Sequence, residues 1–221
     1  HLLDGVGDER GVRDQPLRTA RAVLGAAALG RRAVGDTHLA DAGLTHGHAR
    51  LHRMDPIDAS LLLLRLAVGV VMLAHGWNHV FRGGKIAGTG RWFESLGMRP
   101  GWLHAWTASL TELGAGALLL VGLATPLAGA AVVGVMVVAL VTNHLKNGFF
   151  VFRPGEGYEY VMTLTAAGLA LCGAGGGRVS LDHDLGVLDP PGWPAALVCA
   201  GLGLGGAAAL LVVFWRPPRR G

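Results

Sequence analysis

Apolar and polar positions fall into long uninterrupted runs along this chain rather than into an alternation. Five apolar segments stand out: Ala59 to Trp77, Leu103 to Leu123, Pro126 to Thr142, Tyr160 to Ala174 and Trp193 to Trp215. Each approaches the roughly 20 residues that a helix needs to cross a hydrocarbon core about 30 Å thick. Period-two patterning is missing, and lipid offers no water to unpaired strand edges, so these segments predict helices and not a barrel. Pro126 suits a first helical turn. The predicted fold is all-α, a polytopic transmembrane helical bundle of four helices plus a fifth near the C-terminus.

Composition strengthens that picture. Of 221 residues, 51% are hydrophobic and 15% charged, against about 25% charged in an ordinary soluble domain. The 36 glycines follow no collagen repeat and, with Ala, Leu and Val, belong to closely packed membrane helices. Gly114-Ala115-Gly116, Gly129-Ala130 and the Gly201–Gly206 stretch are the expected sites of close backbone approach. The last of these looks like a GxGxxG loop, yet no strand precedes it and it lies inside an apolar run. A net charge of +4 does not indicate nucleic acid, because the basic residues sit between apolar segments, as membrane-flanking charges do. Two cysteines without CxxC or Cys/His spacing exclude a disulfide framework or zinc site. Cys172 and Cys199 fall at similar depth on consecutive helices and read either as a redox pair or as small apolar fillers.

Residues 1–53 differ from the rest: they hold eight Arg, no Lys, five of the ten His, and no aromatic residue or Met. Two expectations stand for them, a translated stretch upstream of a start at Met54 or a basic, mostly disordered tail. The expected organisation is this segment, a bundle over 54–185, and an additional helix with a basic tail over 186–221.

Topology follows from the basic residues. With five spans, Arg82, Lys85, Arg91, Arg99, Lys146, Arg153, Arg216, Arg219 and Arg220 share one side, against Arg178 on the other from Met54 onward. The positive-inside rule places the first side, with the C-terminus, in the cytoplasm. Most of the aromatic residues flank that same face. The bilayer is therefore the first expected partner.

Ionisable groups at membrane depth are candidate functional sites. A rise of about 1.5 Å per residue puts Arg65 about 10 Å and Glu112 about 17 Å below the outer surface. An Arg65–Glu112 ion pair is expected from this, either as a structural clamp or as a catalytic pair in which Glu112 carries protons or substrate. The same arithmetic sets His75, His104 and His144 near one depth of about 25–28 Å, with His79 one turn beyond His75. Such histidines can bind metal or haem, hydrogen-bond a quinone carbonyl, or place polar tips at the interface. If these histidines form a site, a quinone is the expected cofactor and no metal is expected; the alternative is that they only decorate the interface. Asn78, Asn143, Lys146 and Asn147 add polarity nearby.

Arg65 with His75-Gly76, the amphipathic loop Gly90-Arg-Trp-Phe-Glu-Ser-Leu-Gly97, the stretch from Glu112 to Pro126, Glu159-Tyr160 and the segment ending in Ser180-Leu181-Asp182 resemble the DoxX family of small bacterial membrane proteins. The resemblance covers about Ala59 to Leu185 and implies a four-helix bundle in the plasma membrane, which the fifth apolar segment exceeds. It also implies a redox or sulfur setting, since the family is named after subunits of a thiosulfate:quinone oxidoreductase. Another relative is linked to a membrane complex with a superoxide dismutase and a sulfurtransferase. Whether this chain is an enzyme stays open. Three functions follow: a redox subunit passing electrons from thiol or thiosulfate to quinone, a scaffold for soluble redox or detoxification proteins docked on loop 1 at the cytoplasmic face, or a small-solute carrier lined by Arg65 and Glu112. The last would require a homo-oligomer.

Overall fold

A computed structural model describes residues 55–187 and 192–218; the segment 1–53, with the two expectations for it, lies outside the described residues. All five apolar segments are helices. They are α1 (Pro56–Phe81), α3 (Gly101–Val121), α4 (Thr125–Ala139), α5 (Glu159–Ala174) and α7 (Gly192–Phe214), with two short additions, α2 (Lys85–Ser95) and α6 (Leu181–Leu185). A π turn, Leu140–His144, and a 3-10 turn, Leu145–Asn147, prolong α4. By length and composition α1, the Thr125–Asn147 run and α7 can cross a membrane, whereas α5 is shorter. The protein is a helical membrane bundle.

Helix ends follow local chemistry. Asp55 caps α1, its carboxylate accepting from the Ile57 amide at 2.8 Å, and Pro56 opens the first turn where no amide partner is needed. The segment expected as an amphipathic loop around Gly90–Gly97 is mostly the helix α2, buried through Gly90 and Phe93.

Glycines set the helix contacts. A Cβ on Gly69 of α1 would lie 3.1 Å from the Gly116 carbonyl of α3; one on Gly129 of α4 would lie 2.7 Å from the Gly168 carbonyl of α5; one on Gly134 of α4 would lie 3.3 Å from the Gly203 carbonyl of α7. Backbones thus approach to near contact, which is how helices gain dispersion energy where lipid is as apolar as their own side chains. α1 packs mainly on α3, and α4 on both α5 and α7. The core gathers Val68, Met72, Ala115, Leu119, Val132, Leu164 and Leu171.

The two ends of the bundle are pinned differently. At one, the Trp215 indole donates to the Leu96 carbonyl at 3.0 Å and the Arg216 amide to Gly97 at 2.9 Å, so α7 finishes against the α2–α3 turn. At the other, Asp182 of α6 accepts from the Ala124 and Thr125 amides at 2.6 and 2.8 Å. These are orphan donors at the start of α4, and the carboxylate also meets the positive end of that helix.

Candidate functional site

Arg65 and Glu112, both almost fully buried at 1% and 3% exposure, do not pair. Arg65 Nη1 donates to the Leu119 carbonyl at 3.2 Å and Nη2 to the Val179 carbonyl, with Asp182 near enough to oppose its charge. The expected ion pair fails for a reason of register. α1 and α3 are antiparallel, with Gly69 against Gly116 and Gly76 against Ser109, and Arg65 reaches Gly122. That is ten residues beyond Glu112, or about 15 Å along the axis. The side chains also diverge, because each leans toward the N-terminus of its own helix and these point to opposite ends of the bundle. Arg65 joins α1, the end of α3 and the segment before α6.

Glu112 instead meets His79: Oε2 lies 3.1 Å from Nδ1 across the α1–α3 interface. Neither atom has a properly aligned hydrogen-bond partner, and buried His104 Nε2 has none either. These three groups line one cavity of about 840 Å³, together with His75 and His144. The three predicted histidines are thus brought to one cavity, but their roles differ. His75 is exposed and stacks on Tyr160 with ring centroids 6.2 Å apart. His104 is packed between Phe93 and Phe214, at 6.2 and 5.1 Å. His144 is already engaged. Its Nδ1 lies 2.9 Å from the Glu156 carbonyl, which can only accept, and its Nε2 lies 3.3 Å from the Asn143 amide nitrogen. Asn143 and His144 belong to the π turn, a distortion common at functional sites.

Asn147 also binds the carbonyls of Asn143 and Glu156, so the loop 148–158 is tied over this end of the cavity. Glu156 adopts φ +60° there. Elsewhere the lining is mainly apolar and comes from α3, α4 and α7. Cys172 and Cys199 are both free thiols, clustered with Ala130 in a small apolar core. Arg65 is absent from the lining of this cavity, so Arg65 and Glu112 do not line it together.

Sequence reasoning did not single out His79 as the partner of Glu112, nor Tyr160 and Asp182 for their roles. For His79 a signal was present, since it shares the face of His75 one turn on. Asp182 offered none, because it caps a helix that begins 57 residues away.

Fold and site together define a polytopic membrane protein whose bundle encloses a cavity with buried ionisable groups at one end and hydrocarbon at the other. The chain belongs to the DoxX family. The DoxX family model matches residues 60–145. A curated protein of Bacillus subtilis (strain 168), "Putative oxidoreductase CatD", is 33% identical over 117 residues, covering 53% of this chain and 81% of that protein. No solved structure matches this chain.

Proposed function

We propose that this chain is the membrane subunit of an oxidoreductase that holds a quinone in the cavity and reduces it at the expense of a sulfur donor, a thiol or thiosulfate. The observation that carries the reading is the set of three buried polar atoms without aligned partners, Glu112 Oε2, His79 Nδ1 and His104 Nε2, on one cavity wall. Native interiors rarely leave such atoms unsatisfied, and a bound group or a catalytic role is among the reasons they do. The group fits: His104 Nε2 can face a carbonyl oxygen, and the rest of the cavity suits an apolar ring. A bound quinone accepts two electrons with two protons. Glu112 and His79 can hold a proton between Oε2 and Nδ1 with no change in the net charge of the pair, which an apolar site requires. The family resemblance supports the sulfur donor, and the printed name of the Bacillus relative supports oxidoreductase chemistry.

Membranes containing the chain should reduce a quinone analogue when thiosulfate is added, and membranes with Glu112→Gln should not. Equal rates in the two would overturn the reading, as would no rate above that of empty membranes.

A second reading has its own observation. Arg82, Lys85, Arg91 and Arg99 are exposed around α2, beside half-exposed Trp92, a cationic surface on which a soluble acidic detoxification protein would dock. By the positive-inside rule this end, with the C-terminus, faces the cytoplasm of a bacterial plasma membrane.

A further inference from the structure

The cavity is long as well as polar at one end. On α4 and the π turn that prolongs it the lining runs from Leu127 to Thr142, about 22 Å of helix, most of a hydrocarbon core of about 30 Å. α3 and α7 both pack near α4, and they converge at the end where Phe214 meets His104. Away from that end the lining is supplied by Leu127 and Gly134 of α4 and by Leu202 and Gly206 of α7, while Thr107 and Thr111 of α3 lie between His104 and Glu112. Leu127, Leu202 and Gly206 are exposed, so this part of the cavity is a groove open to the side where lipid lies. Gly134 approaches the backbone of Gly203 and keeps the floor shallow.

We infer that this groove holds the hydrocarbon tail of a prenylated or acylated quinone, admitted sideways from the bilayer, while its head lies at His104, His79 and Glu112. The inference rests on the head-group reading above and adds the ligand's chain, its route and the role of α7. A tail lying in the groove exchanges lipid contact for contact with Leu127, Gly134 and Leu202. It also tethers the head at the one wall where polar atoms lack partners. A tail-free head would find the same polar wall and none of the groove. α7 lies outside the residues matched by the family model, 60–145. It therefore supplies chain selectivity to a head-group site built largely by the matched helices.

Gly206 gives a clean test, because it lines the groove and a Cβ there meets nothing within 4 Å. Gly201 lies on the same helix with equally open space, but away from the cavity. The full chain and its variants are placed in nanodiscs of one lipid composition, so that partitioning of the probes cancels between them. Menadione, a naphthoquinone without a tail, and phylloquinone, the same ring with a long tail, are titrated by tryptophan quenching; Trp92 lines the cavity. Gly206→Leu should weaken phylloquinone about tenfold or more while menadione shifts by less than about twofold, the size expected for a few displaced methylenes. Leu202→Trp should act in the same direction, and Gly201→Leu should change neither probe. If Gly206→Leu does not fold, Leu202→Trp decides. Unchanged phylloquinone binding in the groove variants, or equal loss of both probes, would overturn the groove while leaving the head site standing. Failure of the wild-type chain to bind either probe would overturn the head-group reading and the groove with it.

Discussion

His79 Nδ1 and Glu112 Oε2 face each other at 3.1 Å across the seam between α1 and α3, at the wall of a cavity of about 840 Å³. Neither atom has an aligned hydrogen-bond partner, so a ligand is free to take part.

That relationship makes Glu112→Gln informative. The amide keeps the shape of the side chain and loses the proton site. Quinone reduction should fall by about 100-fold or more, the usual worth of a positioned acid or base, with membrane levels of the protein unchanged. Loss of the protein itself, seen by quantitative blotting, would mark the pair as structural.

Arg65 should behave in the opposite way. Its guanidinium spans two carbonyls on different segments, a fork that a lysine ammonium cannot reproduce. Arg65→Ala should destabilise the bundle by about 3 kcal/mol, read as a lower melting temperature in detergent. Gly122→Ala should act similarly, since Gly122 has φ +69° and an added Cβ would meet Ser180 Cβ at 2.6 Å. The specific activity of whatever Arg65→Lys protein folds should match wild type.

Asp182→Ala removes both acceptors from the start of α4 and should cost about 1–2 kcal/mol, whereas Asp182→Asn, which keeps one, should cost less. Thermal unfolding of the two variants side by side checks the order. Equal melting temperatures for wild type and Asp182→Ala would contradict the capping role.

His144 holds a loop rather than a ligand in this arrangement. His144→Ala should free residues 148–158 and speed cleavage by a glutamate-specific endoprotease after exposed Glu156, followed by mass spectrometry. Menadione affinity should fall less than in His104→Ala, whose ring nitrogen is the unpartnered one.

Much of this molecule was legible before any coordinates. The five apolar segments are five helices because membrane spans are encoded by bulk hydropathy, which survives errors of a few residues at each end. Gly116 and Gly129 lie at helix contacts where small residues had been expected, and within Gly201–Gly206 it is Gly203 that meets α4. Depth along the helix was readable too, and it brought His75, His104 and His144 to one cavity. Rotation and register were not readable, and both decide pairing. Arg65 and Glu112 looked within reach because the outer ends of α1 and α3 were taken as level, whereas Gly69 lies against Gly116 and Gly76 against Ser109, so α1 starts about 12 Å beyond the end of α3. The link from Asp182 to α4 had no local pattern at all, being a contact between distant loops.

The latch between Trp215 and Leu96 spans 119 positions in sequence, and this bears on how the protein is made. Helices leave the ribosome in order, so α1 to α5 enter the membrane while the α7 wall is still absent. Until Trp215 docks, the polar wall around Glu112 faces lipid on its open side. Biogenesis thus passes through a stage in which the bundle is inserted but unsealed. Quality control that senses exposed charge within the bilayer would act in that interval, before the last described helix closes it.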